Sequence, residues 1–421
     1  MNILYIHSHD TGRFIQPYGH AVPTPNLQRL AEEGVLFRQA FCAAPTCSPS
    51  RSALLTGQYP HSCGILGLTH RGFNITDYSH HLVQALKKHG YHTALSGVQH
   101  EAKPVDLIGY DQLLCPDSSK AEKVAPAAVA FLEAKPKTPF FLAVGFGQTH
   151  RVFPPADPDI IPNYCLPPPF MPDTPEVRGD VAAFKTSARQ MDAGVGQVLD
   201  ALKRSGRADD TLVISTTDHG IPWPGAKCTL TDQGIGVSLI LRGPGGFAGG
   251  KVVDNMVSQI DIVPTICELL GIERFPWLQG QSLLPTLAGK DVREEVHAEV
   301  TFHACYEPQR CVRTKRWKYI RFFDDYPSVV TGNYDRGPSK TLWLDYGWKE
   351  RPRDREQLYD LVFDPGETAN LAGKNPDVLN EMRGRLDRWM RATSDPLLNG
   401  PVPPPPGTIV TPRTATHPDE K

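Results

Sequence analysis

The segment Cys47-Ser48-Pro49-Ser50-Arg51-Ser52-Ala53-Leu54-Leu55-Thr56-Gly57 joins a thiol, a helix start and a fixed cation in one short string. Pro49 suits the first turn of a helix, where unpaired backbone N–H groups favour an anion, and Arg51 adds a charge that does not titrate. A thiol placed there would be acidified and reactive; the bland alternative is a buried structural cysteine. Two other strings end strand-like runs: His7-Ser8-His9-Asp10 and Thr217-Asp218-His219-Gly220. Read singly, Asp10 is an ordinary turn or cap residue. Read together, carboxylates and imidazoles from separate strand ends make a divalent-cation site, because ligands bind at the carboxyl ends of parallel strands. His100, in Ser96-Gly97-Val98-Gln99-His100, also follows a strand and by itself reads as structural, while Lys227 by itself reads as a solvated lysine. Gly243-Pro244-Gly245-Gly246 is a turn without the strand–helix context of a phosphate loop.

The elements that must position these residues alternate. Residues 2–7 predict a buried strand. Thr24-Pro25 then caps a helix that Gly34 stops, and Val35–Cys42 predicts a second strand. A short helix over His81–His89, a strand over His92–Ser96, a helix over Ala121–Ala134 and a strand over Phe140–Phe146 follow. Val181–Ser205 predicts a long amphipathic helix through Met191, Val195, Val198 and Leu202. Thr211–Ser215 and Val237–Leu241 are further buried strands. This order implies an α/β domain over residues 1–290, with a mostly parallel sheet covered on both faces. From 291 to 395 the pattern changes to antiparallel strands at Glu295–Phe302 and Arg310–Phe323 and a helix at Pro376–Met390, a smaller C-terminal α+β unit. Residues 396–421 form a Pro-rich tail expected to be extended or disordered. The Pro-rich stretch 151–178 is expected to be a long ordered loop at the sheet edge.

A chain of 421 residues accommodates one large domain and one smaller one. With 44 basic and 46 acidic residues and pI ≈ 6.7, it lacks the charge for nucleic-acid or anionic-membrane binding. Mean hydropathy is −0.32 and no apolar run reaches membrane-spanning length. Met1 opens directly into a strand with no secretory signature, and nine scattered cysteines without CxxC spacing read as reduced thiols, so a cytoplasmic location is expected.

Cys-x-Pro-x-Arg followed by Leu-x-Thr-Gly resembles the signature of the formylglycine-dependent sulfatases of the alkaline phosphatase superfamily, and further matches run to about residue 375. The resemblance implies that Cys47 is converted by a formylglycine-generating enzyme to an aldehyde (3-oxoalanine), whose hydrate attacks sulfur. It implies metal ligands at Asp10, Asp218, His219, residue 47 and position 9, where His9 stands in place of the family's aspartate. Ca²⁺, the family's usual ion, is the expected metal; Mn²⁺ and Zn²⁺, which suit an imidazole at position 9 better, are the alternatives. Arg51 would stabilise the nucleophile, Lys227 would hold the sulfuryl oxygens, His150 would protonate the leaving group and His100 would take a proton from the second hydroxyl. Val98 stands where the family pattern has a lysine. Gln190–Gly196, Asp218–Pro224, and Glu299 with Arg310 as substrate-binding residues resemble the heparan N-sulfatase (sulfamidase) branch, which implies a sulfate ester or sulfamate on a sugar. A phosphodiesterase or phosphonate monoester hydrolase on the same fold, and a non-catalytic binder of sulfated glycans, are the alternatives.

Overall fold

The computed structural model describes residues 1–420. In chain order its strands are β1 Asn2–Ser8, β2 Val35–Phe41, β3 His92–Gly97, β4 Gln112–Cys115, β5 Phe140–Gly145, β6 Thr211–Thr217, β7 Leu239–Arg242, β8 Lys251–Ser258, β9 Glu295–Phe302, β10 Tyr306–Thr314, β11 Trp317–Phe322 and β12 Glu356–Asp360. Its helices are α1 Pro25–Glu33, α2 Cys47–Thr56, α3 Pro60–Cys63, α4 Leu82–Lys88, α5 Ala121–Glu133, α6 Pro175–Arg204, α7 Asp232–Ile235, α8 Ile262–Leu270, α9 Pro338–Asp345 and α10 Pro376–Ala392.

Eight strands form one sheet in the order β4-β3-β5-β1-β6-β7-β2-β8. Only β7 runs antiparallel, against both β6 and β2. β1 is buried along its whole length because helices cover both sides of it. Ile3 and Tyr5 join Phe141, Ala143, Leu212 and Ile214 in the core on one face. Leu4 and Ile6 join Leu142, Val144 and Val213 on the other, where α5 and α6 pack. A continuous apolar run thus becomes a two-sided core through the period of two along a strand.

The second sheet, β12-β11-β10-β9, is antiparallel, with α10 packed against it through Leu379, Met382, Leu386, Trp389 and Met390. The segment expected as one strand from 310 to 323 is a hairpin of β10 and β11, whose turn is closed when the Trp317 N–H donates to Thr314 Oγ1 at 2.9 Å. α6 begins earlier than its apolar stripe suggested, at Pro175, with the Thr174 side chain accepting from the Val177 N–H. The described residues of the Pro-rich tail are ordered, a 3-10 turn at Pro396–Asn399 followed by extended chain. Ile409 N–H donates to the Arg71 carbonyl at 2.8 Å, Arg71 donates to the Pro418 carbonyl at 2.6 Å, and Lys340 donates to the Thr416 carbonyl at 2.7 Å. Chain lacking its own ladder is held by side chains of the larger body.

Candidate active site

Four central neighbours in the large sheet, β3, β5, β1 and β6, deliver their carboxyl ends to one place. β1 ends before His9 and Asp10, β6 before Asp218 and His219, β3 before Val98 and His100, and the loop after β5 carries His150. β2 leads into α2, whose first residue is Cys47. Gly57 ends α2 in the left-handed conformation at φ 68°, where an added Cβ would stand 2.4 Å from Leu278.

The Asp10 N–H donates to Asp218 Oδ1 at 2.8 Å, tying the β1 and β6 ends together. Ligand atoms of His9, Asp10, Cys47 and Asp218 all lie within 4.8 Å of one another. His219 Nε2 adds to them, 3.2 Å from Asp10 Oδ1 and 3.4 Å from Cys47 Sγ, and its Nδ1 donates to the Gly220 carbonyl. Both ring nitrogens of His9 and Oδ1 of Asp10 are buried without a hydrogen-bond partner. Orphaned buried acceptors converging on one point are what a cation needs, so this donor set fits a divalent metal.

Arg51 is 1% exposed. It donates to Ser8 O at 2.7 Å and to Asp218 Oδ2 at 3.0 Å, and Nη1 lies 2.6 Å from His7 Nδ1. Burial alone would raise the Asp218 carboxyl, but the Arg51 guanidinium, with His219 and His9, holds it well below the usual range. Burial drives Cys47 the other way: its thiol is pushed well above the ordinary value even with Lys227 nearby. The acidified thiol expected at the helix start is therefore corrected, because desolvation outweighs the nearby cations.

Lys227 is equally buried. Its Nζ donates to Asp10 Oδ2 and Asp335 Oδ2, both at 2.8 Å, and to His150 Nε2 at 3.3 Å. Burial would lower this amine, but the two carboxylates hold it well above its ordinary range. His150 Nδ1 donates to the Arg151 carbonyl at 2.5 Å, which leaves Nε2 facing the site. His100 is pushed down to about 3 by burial, reinforced by His70 and Arg51, and is neutral at physiological pH.

His9, Val98, His100 and His150 line a cavity of about 560 Å³ together with Lys120, Gln148, Arg151 and Gln190. That is the size of a small-molecule site. Where Val98 removes a cation, the ring nitrogens of His9 and His100 both lie within 4.8 Å of Cys47 Sγ.

Glu299 and Arg310 do not reach this cavity. They are 2% and 0% exposed. Glu299 accepts from His61, and Arg310 donates to Asp395 Oδ2 at 2.6 Å and to the Val300 carbonyl at 2.8 Å. The expectation that they bind substrate is corrected: they form an ion-paired network that joins β9 and β10 to His61 and to Asp395 beyond α10. Asp335 was missed altogether. It lies in a loop before α9 with no periodic or motif signal, and only the fold brings it to Lys227.

A family model described as Sulfatase matches residues 1–272, and one described as N-sulphoglucosamine sulphohydrolase, C-terminal, matches residues 225–339. The N-sulphoglucosamine sulphohydrolase of Homo sapiens is 30% identical over 444 residues, covering 90% of this chain and 88% of the relative. An ulvan-active sulfatase of Formosa agariphila is 30% identical, covering 94% of this chain and 80% of its own length. Among solved structures, a putative sulfatase from Bacteroides thetaiotaomicron superposes with a TM-score of 0.74 at 23% identity, covering 98% of this chain and 96% of that one. A further solved protein, in complex with its substrate D-glucosamine-2-N,6-O-disulfate, superposes with a TM-score of 0.71 at 19% identity, covering 95% of this chain and 99% of that one.

Proposed function

The chain belongs to the sulfatase family and is a sulfuric ester hydrolase, and from that premise we propose that it removes sulfate from a sulfated sugar, with N-sulfoglucosamine as the first substrate to test. The observation that carries this reading is the convergence of Cys47, Arg51, His9, Asp10, Asp218 and Lys227 in one buried cluster, which His9 joins to the cavity. The N-sulfated sugar is supported by the relatedness to the human sulphohydrolase along nearly the whole chain.

Cys47 is proposed to be converted to formylglycine by a formylglycine-generating enzyme, which would give residue 47 a hydrated aldehyde with one hydroxyl to bond sulfur and a second to expel sulfate. His9, Asp10, Asp218 and His219 would hold a divalent cation, which supplies Lewis-acid charge to a sulfuryl oxygen. Their mixed imidazole and carboxylate donors favour Mn²⁺ or Zn²⁺ over the family's usual Ca²⁺, and elemental analysis of purified protein checks this. The chain's own groups do the rest. Arg51 keeps Asp218 ionised and fixes the β1 and β6 ends at the helix start. Lys227, charged and buried, is placed to hold sulfuryl oxygens as charge develops on them. His150 would protonate the departing nitrogen or oxygen from Nε2 in its doubly protonated form, with the Lys227 N–H that donates to Nε2 turned instead to a sulfuryl oxygen, and His100, neutral, would take a proton from the second hydroxyl.

The test is sulfate release from N-sulfoglucosamine, from O-sulfated monosaccharides and from an aryl sulfate, beside hydrolysis of an aryl phosphonate. The reading expects the highest kcat/KM on a sulfated sugar. Faster hydrolysis of the phosphonate would replace it with a phosphonate hydrolase, and tight glycan binding without turnover by fully modified protein would replace it with a binder.

A further inference from the structure

His70 has no part in the chemistry above, yet it touches the site. It lies in the 3-10 turn Thr69–Arg71, where the chain passes beside the start of α2. The turn is fastened there: the Thr69 N–H donates to Ser48 Oγ at 3.1 Å, and Ser48 is the residue after Cys47. The His70 ring lies nearly parallel to that of His100, with centroids 5.3 Å apart and planes 7° apart. His70 Nδ1 lies 3.0 Å from His100 Nε2. The other ring nitrogen of His100, Nδ1, is buried and has no partner.

A neutral imidazole carries one proton, and the hydrogen bond at one nitrogen decides which nitrogen that is. If Nε2–H of His100 donates to Nδ1 of His70, then Nδ1 of His100 is left as a lone pair. The reverse arrangement puts the proton on Nδ1 and spoils it as an acceptor. With Nε2 occupied by His70, Nδ1 is the nitrogen left to serve residue 47. We propose that His70 is a positioning residue that accepts the Nε2–H of His100 and so fixes the tautomer in which His100 Nδ1 can take a proton at residue 47. This rests on His100 acting as the base of the sulfatase reaction.

The test uses the full chain with [¹⁵N]histidine. Long-range ¹H–¹⁵N correlation reads the tautomer, and His100 is assigned by its absence in His100→Gln. The expected result is the Nε2–H form in the wild type and a mixture in His70→Ala. Kinetically, His70→Ala should lower kcat about 10–100-fold, the cost typical of losing a group that orients an imidazole, with KM changed less than about twofold. His70→Asn, whose side-chain oxygen can stand near the Nδ1 position, should recover most of kcat. An Nδ1–H form of His100 in the wild type overturns the proposal, as does full kcat in a folded His70→Ala protein. Wild-type protein that releases no sulfate from any sugar removes the sulfatase reading of the site, while the tautomer still decides whether the pair exists.

Discussion

Arg51 and Asp218 are each other's condition for being buried. Their side chains are 1% and 0% exposed, and each is paired with the other at 3.0 Å. Removing one partner of a buried pair leaves the other uncompensated, at a cost of about 3–5 kcal/mol. Asp218→Ala is therefore expected to abolish turnover and also to lower the melting temperature, read by activity and thermal denaturation in parallel; Asp218→Ala protein with wild-type sulfate release would refute its place at the metal. The same reasoning separates Arg310 from the site. Arg310→Met strands Asp395 and should destabilise by about 3–5 kcal/mol, yet the fraction that folds should keep the wild-type KM. A raised KM with unchanged stability would return Arg310 to substrate binding. Sequence could not make this distinction: a charged pair that joins elements and one that binds an anion have the same residue types, and only burial tells them apart. Cys47, Asp10 and Asp218 were legible because strand ends and a helix start are written locally. Asp335 and His70 were not, since turns without periodicity take their positions from tertiary packing.

At the scale of elements, the parallel strands were readable as short apolar runs, whereas β4, β8 and β12 were missed. β8 is an edge strand and β4 carries exposed residues, so neither shows the continuous apolar run of a central strand. The hairpin of β10 and β11 escaped notice because Thr314, rather than a glycine or asparagine, closes its turn. The junction between the sheets also holds a pH dependence. His297 on β9 stacks on Trp389 of α10, with centroids 4.7 Å apart. Burial, with Arg293 nearby, lowers its pKa from 6.5 to about 3. The unfolded chain thus binds a proton that the folded one refuses, and the stability present above about pH 6.5 is lost as pH falls toward 3. His297→Asn should flatten that acid limb in denaturation curves measured across this range. An identical slope would show that His297 is not among the groups that set it.

For the whole molecule, the tail shows how the chain is closed. Residues 409–418 run along Arg71 and Lys340 without forming an element, and Arg71 follows His70 directly. Deleting residues 401–421 should lower the melting temperature and raise protease sensitivity around residue 71, which limited proteolysis with peptide mapping checks; an unchanged digest would mean the tail contributes nothing to that turn. The large sheet sets the chemistry by bringing four neighbouring strand ends and one helix start together beside a single cavity, so the central claim concerns residue 47. The most direct measurement is product formed per enzyme on N-sulfoglucosamine by wild type, Cys47→Ser and Cys47→Ala. The proposed aldehyde hydrate at residue 47 would have a second hydroxyl to expel sulfate, so the wild type should turn over repeatedly. Cys47→Ser should release at most one equivalent of the desulfated sugar, and Cys47→Ala none; repeated turnover by Cys47→Ala would contradict the account.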